Sequence, residues 1–124
     1  MRILLVEDND NLRRALHRLL QDVGADEVTE ACDGAQAMSR LPDTRPDLIV
    51  TDFQMPQMDG IRFTRALRAA GIDTPIVMIS AMSDPVVTKL ALDAGVNQFL
   101  SKADETDSLR ATFRRIVSEI AKAA

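Results

Sequence analysis

The chain has 124 residues, 46% of them of hydrophobic type, enough for one ordinary core and too few for two domains of usual size. Fifteen basic residues against nineteen acidic ones leave a formal net charge of -4, so there is no global positive field to hold nucleic acid. The single cysteine, Cys32, excludes an internal disulfide, the apolar runs are too short for a membrane span, and the opening MRILLVED meets acids too early for a signal peptide. A soluble protein of a reducing, cytoplasmic setting is expected.

In chain order, ILLV at 3 to 6 predicts a buried first strand that runs directly into Glu7 and Asp8. Leu12, Leu16, Leu19, Leu20 and Val23 then fall on one helical stripe, which Gly24 stops. DEVTEA at 26 to 31 predicts the second strand and DLIVT at 47 to 51 the third, closed by Asp52. PIVMIS at 75 to 80 predicts the fourth strand, ending on Ser80, and Asp84 before Pro85 reads as an N-cap with proline at the first helical position. QFL at 98 to 100 predicts the fifth strand, followed by Lys102. The segment 105 to 120 closes the pattern with Leu109, Phe113, Ile116, Val117 and Ile120 on one helical face.

Continuous apolar strands alternating with helices predict an α/β fold, an open parallel sheet covered on both faces. In the flavodoxin-like strand order 2-1-3-4-5, the first and third strands are neighbours and a crevice opens at their carboxyl ends. Glu7, Asp8 and Asp52 would meet there. Three converging carboxylates either raise the pKa of at least one of them or call for a cation, since like charges oppose joint ionisation. A hard divalent ion such as Mg2+ suits oxygen ligands, whereas zinc would favour His or Cys, and His17 and Cys32 have no motif spacing. Ser80 and Lys102 aim at the same rim, a hydroxyl and an ammonium suited to phosphoryl oxygens. Asp52 is then placed as a nucleophile that accepts a phosphoryl group.

The residues that carry this chemistry, VED at 6 to 8, TDFQMPQMDG at 51 to 60, ISA at 79 to 81 and SK at 101 to 102, resemble a response-regulator receiver domain of two-component signalling. The resemblance covers essentially the whole chain and implies a single receiver domain, 1 to 124. It implies Asp52 as phosphoacceptor, Asp8 as a direct Mg2+ ligand, Glu7 as a ligand through water, and the backbone carbonyl of Gln54 as a further ligand. It implies Lys102 as phosphate contact, Ser80 as switch hydroxyl and Phe99 as switch aromatic, with Gln54 and Met82 tuning the water that removes the phosphoryl group. The implied protein is a signalling switch rather than a turnover enzyme, although it catalyses its own phosphorylation and slow dephosphorylation. Implied partners are a histidine kinase or phosphotransfer protein, docking at the first helix and the loop before the fifth. An effector would dock on the face of helix 4, strand 5 and helix 5, through which some receivers also form homodimers.

The chain departs from the pattern at Ala103, where many receivers have a proline after a cis bond. A cis bond before a non-proline residue costs about 2.5 to 4 kcal/mol, so a trans bond is expected. Three other readings compete. A histidine phosphotransfer bundle would use His17, but five strand patterns oppose it. An aspartate-nucleophile hydrolase would have an acid two residues after the nucleophile, where this chain has Gln54. A pseudo-receiver would bind partners without phosphorylation. Outside the site, His17 is expected at the surface and Cys32 as a half-buried small hydrophobe.

Overall fold

The computed structural model describes residues 1–81, 84–102 and 106–123. Its elements alternate as β1 (Arg2–Val6), α1 (Asp10–Asp22), β2 (Glu27–Ala31), α2 (Gly34–Thr44), β3 (Leu48–Asp52), α3 (Gly60–Ala69), β4 (Ile76–Ser80), α4 (Pro85–Ala94), β5 (Gln98–Ser101) and α5 (Thr106–Ala123). The five strands form one parallel sheet in the order β2-β1-β3-β4-β5. The expected flavodoxin-like fold is therefore the observed one.

The all-apolar strands follow from a sheet buried on both faces. Ile3, Leu5, Leu48, Val50, Val77, Ile79 and Leu100 turn to one side, where they pack with Leu16, Leu19 and Leu20 of α1 and Phe113, Ile116 and Val117 of α5. Leu4, Val6, Ile49, Ile76 and Met78 turn to the other, against Ala37 of α2, Phe63 and Leu67 of α3, and Ala91 and Ala94 of α4. Period-two alternation thus serves two cores.

Helix boundaries have local causes. The side chains of Asn9, Asp33, Asp59 and Asp84 each cap a helix by accepting a backbone N–H from its first turn. Gly24, after α1, has φ of 114°, a left-handed conformation that glycine adopts without strain.

Five strand edges differ from the sequence expectation by one residue. Arg2 joins β1, because its carbonyl accepts from Asp47 N–H at 2.8 Å. Asp26 and Asp47 fall outside β2 and β3; the Asp47 carboxylate instead caps the Arg2 N–H at 2.8 Å. Pro75, lacking an N–H, precedes β4 and contributes only its carbonyl, to Ile49. Ser101 extends β5 by pairing with Ser80. Helix α5 runs on to Ala123, with all five expected stripe residues in or against the first core.

Candidate functional site

Strand parity builds the site. Glu7 continues the Ile3, Leu5 face of β1, Asp52 the Leu48, Val50 face of β3, and Lys102 the Leu100 face of β5. All three therefore reach the carboxyl edge of the sheet on the α1 and α5 side. Lys102 Nζ lies 2.9 Å from Asp52 Oδ2 and 3.2 Å from Glu7 Oε1. Its backbone N–H donates to the Ser80 carbonyl at 2.8 Å, fixing where the side chain starts.

Glu7 is 1% exposed and Asp52 5%, while Asp8 is open to solvent. Their ligand oxygens all lie within 4.8 Å of one another. Glu7, Asp8, Asp52, Gln54, Ser80 and Lys102 line one cavity of about 410 Å³. The structure so brings together the expected acids, hydroxyl, amide and lysine. Phe99 stands apart from that cavity, half-buried against the second core, and pairs in register with Met78 on β4. Ser80, two residues after Met78, shares the sheet face of Phe99. Met82 and Ala103 lie outside the described residues, as does the bond between Lys102 and Ala103.

The charges are unequally served. Burial pushes the Glu7 carboxyl up from its ordinary 4.5 to about 7; the Asn9 backbone N–H opposes this, the hydrogen bond with Asp8 and the charge of Asp52 add to it, and Lys102 opposes it. For Lys102 burial is also the largest influence and acts downward, but the hydrogen bond and charge of Asp52, together with Glu7, raise its pKa overall. One ammonium is shared by two buried acids and sits nearer to Asp52. Glu7 is the acid left short of countercharge.

Three supporting residues carry no catalytic signature in the sequence. Asn9 donates its backbone N–H to Glu7 Oε2 at 3.1 Å while its side chain caps α1. Gly60 donates to the Phe53 carbonyl at 2.7 Å, and a Cβ there would stand 2.3 Å from the Asp52 carbonyl oxygen. The DG of the motif is thus a helix cap at Asp59 followed by a close approach to the Asp52 backbone. Arg13 donates Nη1 to the Glu7 carbonyl at 2.9 Å. Helical spacing cannot reveal that contact, because it depends on how β1 enters α1.

Two expectations outside the pocket are corrected. Cys32 is exposed, since it follows the last residue of β2 and its N–H is held by Gln36 Oε1 at 2.7 Å. His17 is half-buried rather than a surface residue: its Nδ1 lies 2.7 Å from Glu30 Oε2 on the neighbouring strand β2. Among the described residues no helix is long and apolar enough to cross a membrane.

The family model of the response regulator receiver domain matches residues 3–114. Response regulator MprA of Mycobacterium avium (strain 104) is 36% identical over 117 residues, 94% of this chain and 51% of that protein. The chain thus spans about half the length of such curated relatives. Among solved structures, Vibrio cholerae chemotaxis protein CheY4 superposes with a TM-score of 0.83 at 31% identity, covering 92% of this chain and 96% of that one. The receiver domain of the putative response regulator NarL from Mycobacterium tuberculosis gives a TM-score of 0.84 at 30% identity, covering 99% and 97%. With the sheet order, the acid cluster and these likenesses in agreement, the chain belongs to the response regulator receiver domains of two-component systems.

Proposed function

We propose that this receiver is a phosphorylation-controlled switch with Asp52 as its phosphoacceptor. The observation that carries this reading is the Lys102 ammonium, 2.9 Å from Asp52 Oδ2 and 3.2 Å from Glu7 Oε1, in a cavity that Ser80 also lines. A carboxylate at a strand end with a cation beside it is suited to nucleophilic attack on phosphorus. In transfer from a phosphohistidine, an Asp52 oxygen forms the new P–O bond as the P–N bond breaks, and the electron pair stays on the imidazole nitrogen. Lys102 meets the charge on the phosphoryl oxygens, and the Ser80 hydroxyl can donate to one of them.

The donor set fits a hard divalent cation, because its members are carboxylates with an amide beside them and neither His nor Cys lines the cavity among the described residues. Asp8 and Asp52, the backbone carbonyl of Gln54, and Glu7 through water would hold Mg2+. Bound there, Mg2+ supplies neutralising charge for phosphoryl transfer. In its absence Lys102 is the cation paired with Glu7 and Asp52 among the described residues.

The readout is a change of surface. Ser80 moves toward the phosphoryl group, Phe99 on the same sheet face follows, and the α4, β5 and α5 surface is altered. Val86, Leu90 and Leu92 leave exposed apolar area on α4 for an effector or a second copy of the chain. A histidine kinase or phosphotransfer protein would deliver the phosphoryl group over α1 and the α5 end of the site. Gln54, exposed at the cavity mouth, and Met82 would govern access of the hydrolytic water.

The test is intact mass after incubation with acetyl phosphate, with and without Mg2+, on the wild type and Asp52→Asn. One added phosphoryl group that requires both Mg2+ and Asp52 is expected. Equal labelling of a folded Asp52→Asn protein would refute the assignment, and a folded wild type inert to acetyl phosphate and to a phosphohistidine donor would favour the pseudo-receiver.

A further inference from the structure

The end of β1 is held by a side chain that the phosphorylation chemistry does not use. The ladder between β1 and its neighbours ends with Val6 against Ala31 on one side and Thr51 on the other. Beyond it, Glu7 N–H still donates to the Ala31 carbonyl at 3.0 Å, and the Glu7 carbonyl lies past the last paired residue of the strand. Arg13, one turn into α1, donates Nη1 to that carbonyl at 2.9 Å. Its other nitrogens are equally committed: Nε to Glu30 Oε1 at 2.6 Å on β2, and Nη2 to Asp10 Oδ1 at 2.6 Å in the first turn of α1. Glu30 is gripped in turn, since its second oxygen meets His17 Nδ1 at 2.7 Å. The Arg13 side chain is only 16% exposed.

A planar guanidinium with three fixed acceptors is a rigid brace. It ties β1, β2 and α1 together at the peptide that joins Glu7 to Asp8, the two acids contributed by this strand end. Turning that peptide would swing the exposed Asp8 carboxylate away from Asp52. We propose that Arg13, anchored to β2 through Glu30, is a positioning residue that holds the Glu7–Asp8 peptide in the geometry the acid pocket needs to take up a divalent cation. The proposal rests on the reading of that pocket as a cation site.

Charge and positioning act in opposite directions here, which makes the role measurable. Removing a positive charge beside an acidic pocket would by itself tighten cation binding. Losing the brace loosens it, and residues that orient metal ligands commonly contribute about 10 to 100-fold in affinity. The experiment titrates Mg2+ alone into metal-free protein and follows the backbone amide shifts of residues 7 to 9 and 52 to 54, for wild type, Arg13→Gln and Arg13→Lys, with circular dichroism as the check of folding. Arg13→Gln is expected to bind Mg2+ roughly tenfold more weakly despite the more negative site. Arg13→Lys keeps the charge but cannot serve three acceptors from separate nitrogens, so it too is expected to bind more weakly and remains informative if the Gln variant does not fold. Folded variants that bind as tightly as wild type, or tighter, overturn the proposal. A wild type with no Mg2+ response overturns the cation-site reading, and the proposal with it.

Discussion

Replacing Glu7 with Gln should make the metal-free protein more stable at alkaline pH, although it removes one side of an ion pair. Glu7 is 1% exposed and its carboxyl is raised from 4.5 to about 7, chiefly by burial. Since the folded value lies above the unfolded one, its stabilising contribution is whole below pH 4.5 and is lost as pH rises through 7. At about 1.36 kcal/mol per pH unit, that interval corresponds to about 3 kcal/mol. The amide has nearly the same shape and no proton to lose. The stability difference, variant minus wild type, should therefore move in the variant's favour by about 3 kcal/mol between pH 4.5 and pH 8. Subtraction cancels the groups common to both proteins, including Asp26 and Glu30, whose lowered pKa values belong to a more acidic range. The assay is urea denaturation in EDTA at several pH values, followed by circular dichroism because the chain has no Trp. A difference that stays flat from pH 4.5 to 8 would show that Glu7 ionises freely and that the pocket is not short of countercharge.

Further consequences can be checked separately. Lys102→Ala should leave two buried acids without their shared cation, lowering metal-free stability at pH 8 by about 2 kcal/mol while tightening Mg2+ binding; unchanged Mg2+ affinity in a calorimetric titration would count against Lys102 as the metal-free countercharge. The same variant, once phosphorylated, should fail to engage an effector, and wild-type affinity for that effector would contradict its role. Gly60→Ala forces a Cβ to within 2.3 Å of the Asp52 carbonyl oxygen, so a loss of about 2 to 4 kcal/mol is expected on urea denaturation; a loss below about 1 kcal/mol would mean that the loop relaxes freely. Ser80→Ala should take up phosphate on Asp52 yet leave the Phe99 ring resonances unshifted, whereas a wild-type shift would uncouple the aromatic from the hydroxyl.

The sheet was legible because strands buried on both faces have to be apolar throughout, and ILLV, LIV and IVMI have no other use in a chain of this size. The site was legible for a related reason: an acid or lysine placed directly after such a run must emerge at the edge of the sheet. Single-residue strand edges were not, since they turn on side-chain caps such as Asp47 on Arg2 N–H. The link of Arg13 and His17 to Glu30 was equally hidden, because the distance between Glu30 on β2 and α1 depends on the crossover rather than on any local spacing. Cys32 was misplaced by residue type: small hydrophobic character favours burial, but one position beyond Ala31 the chain has already left the sheet.

The most direct test of Asp52 as phosphoacceptor is chemical trapping after phosphorylation with acetyl phosphate and Mg2+. Borohydride reduces an aspartyl phosphate to homoserine, and peptide mass spectrometry then locates it. The account predicts homoserine at position 52 alone, absent when acetyl phosphate is omitted. Homoserine at Asp8 or Glu7's reduced counterpart, or phosphate found on Ser80 with residue 52 intact, would contradict it.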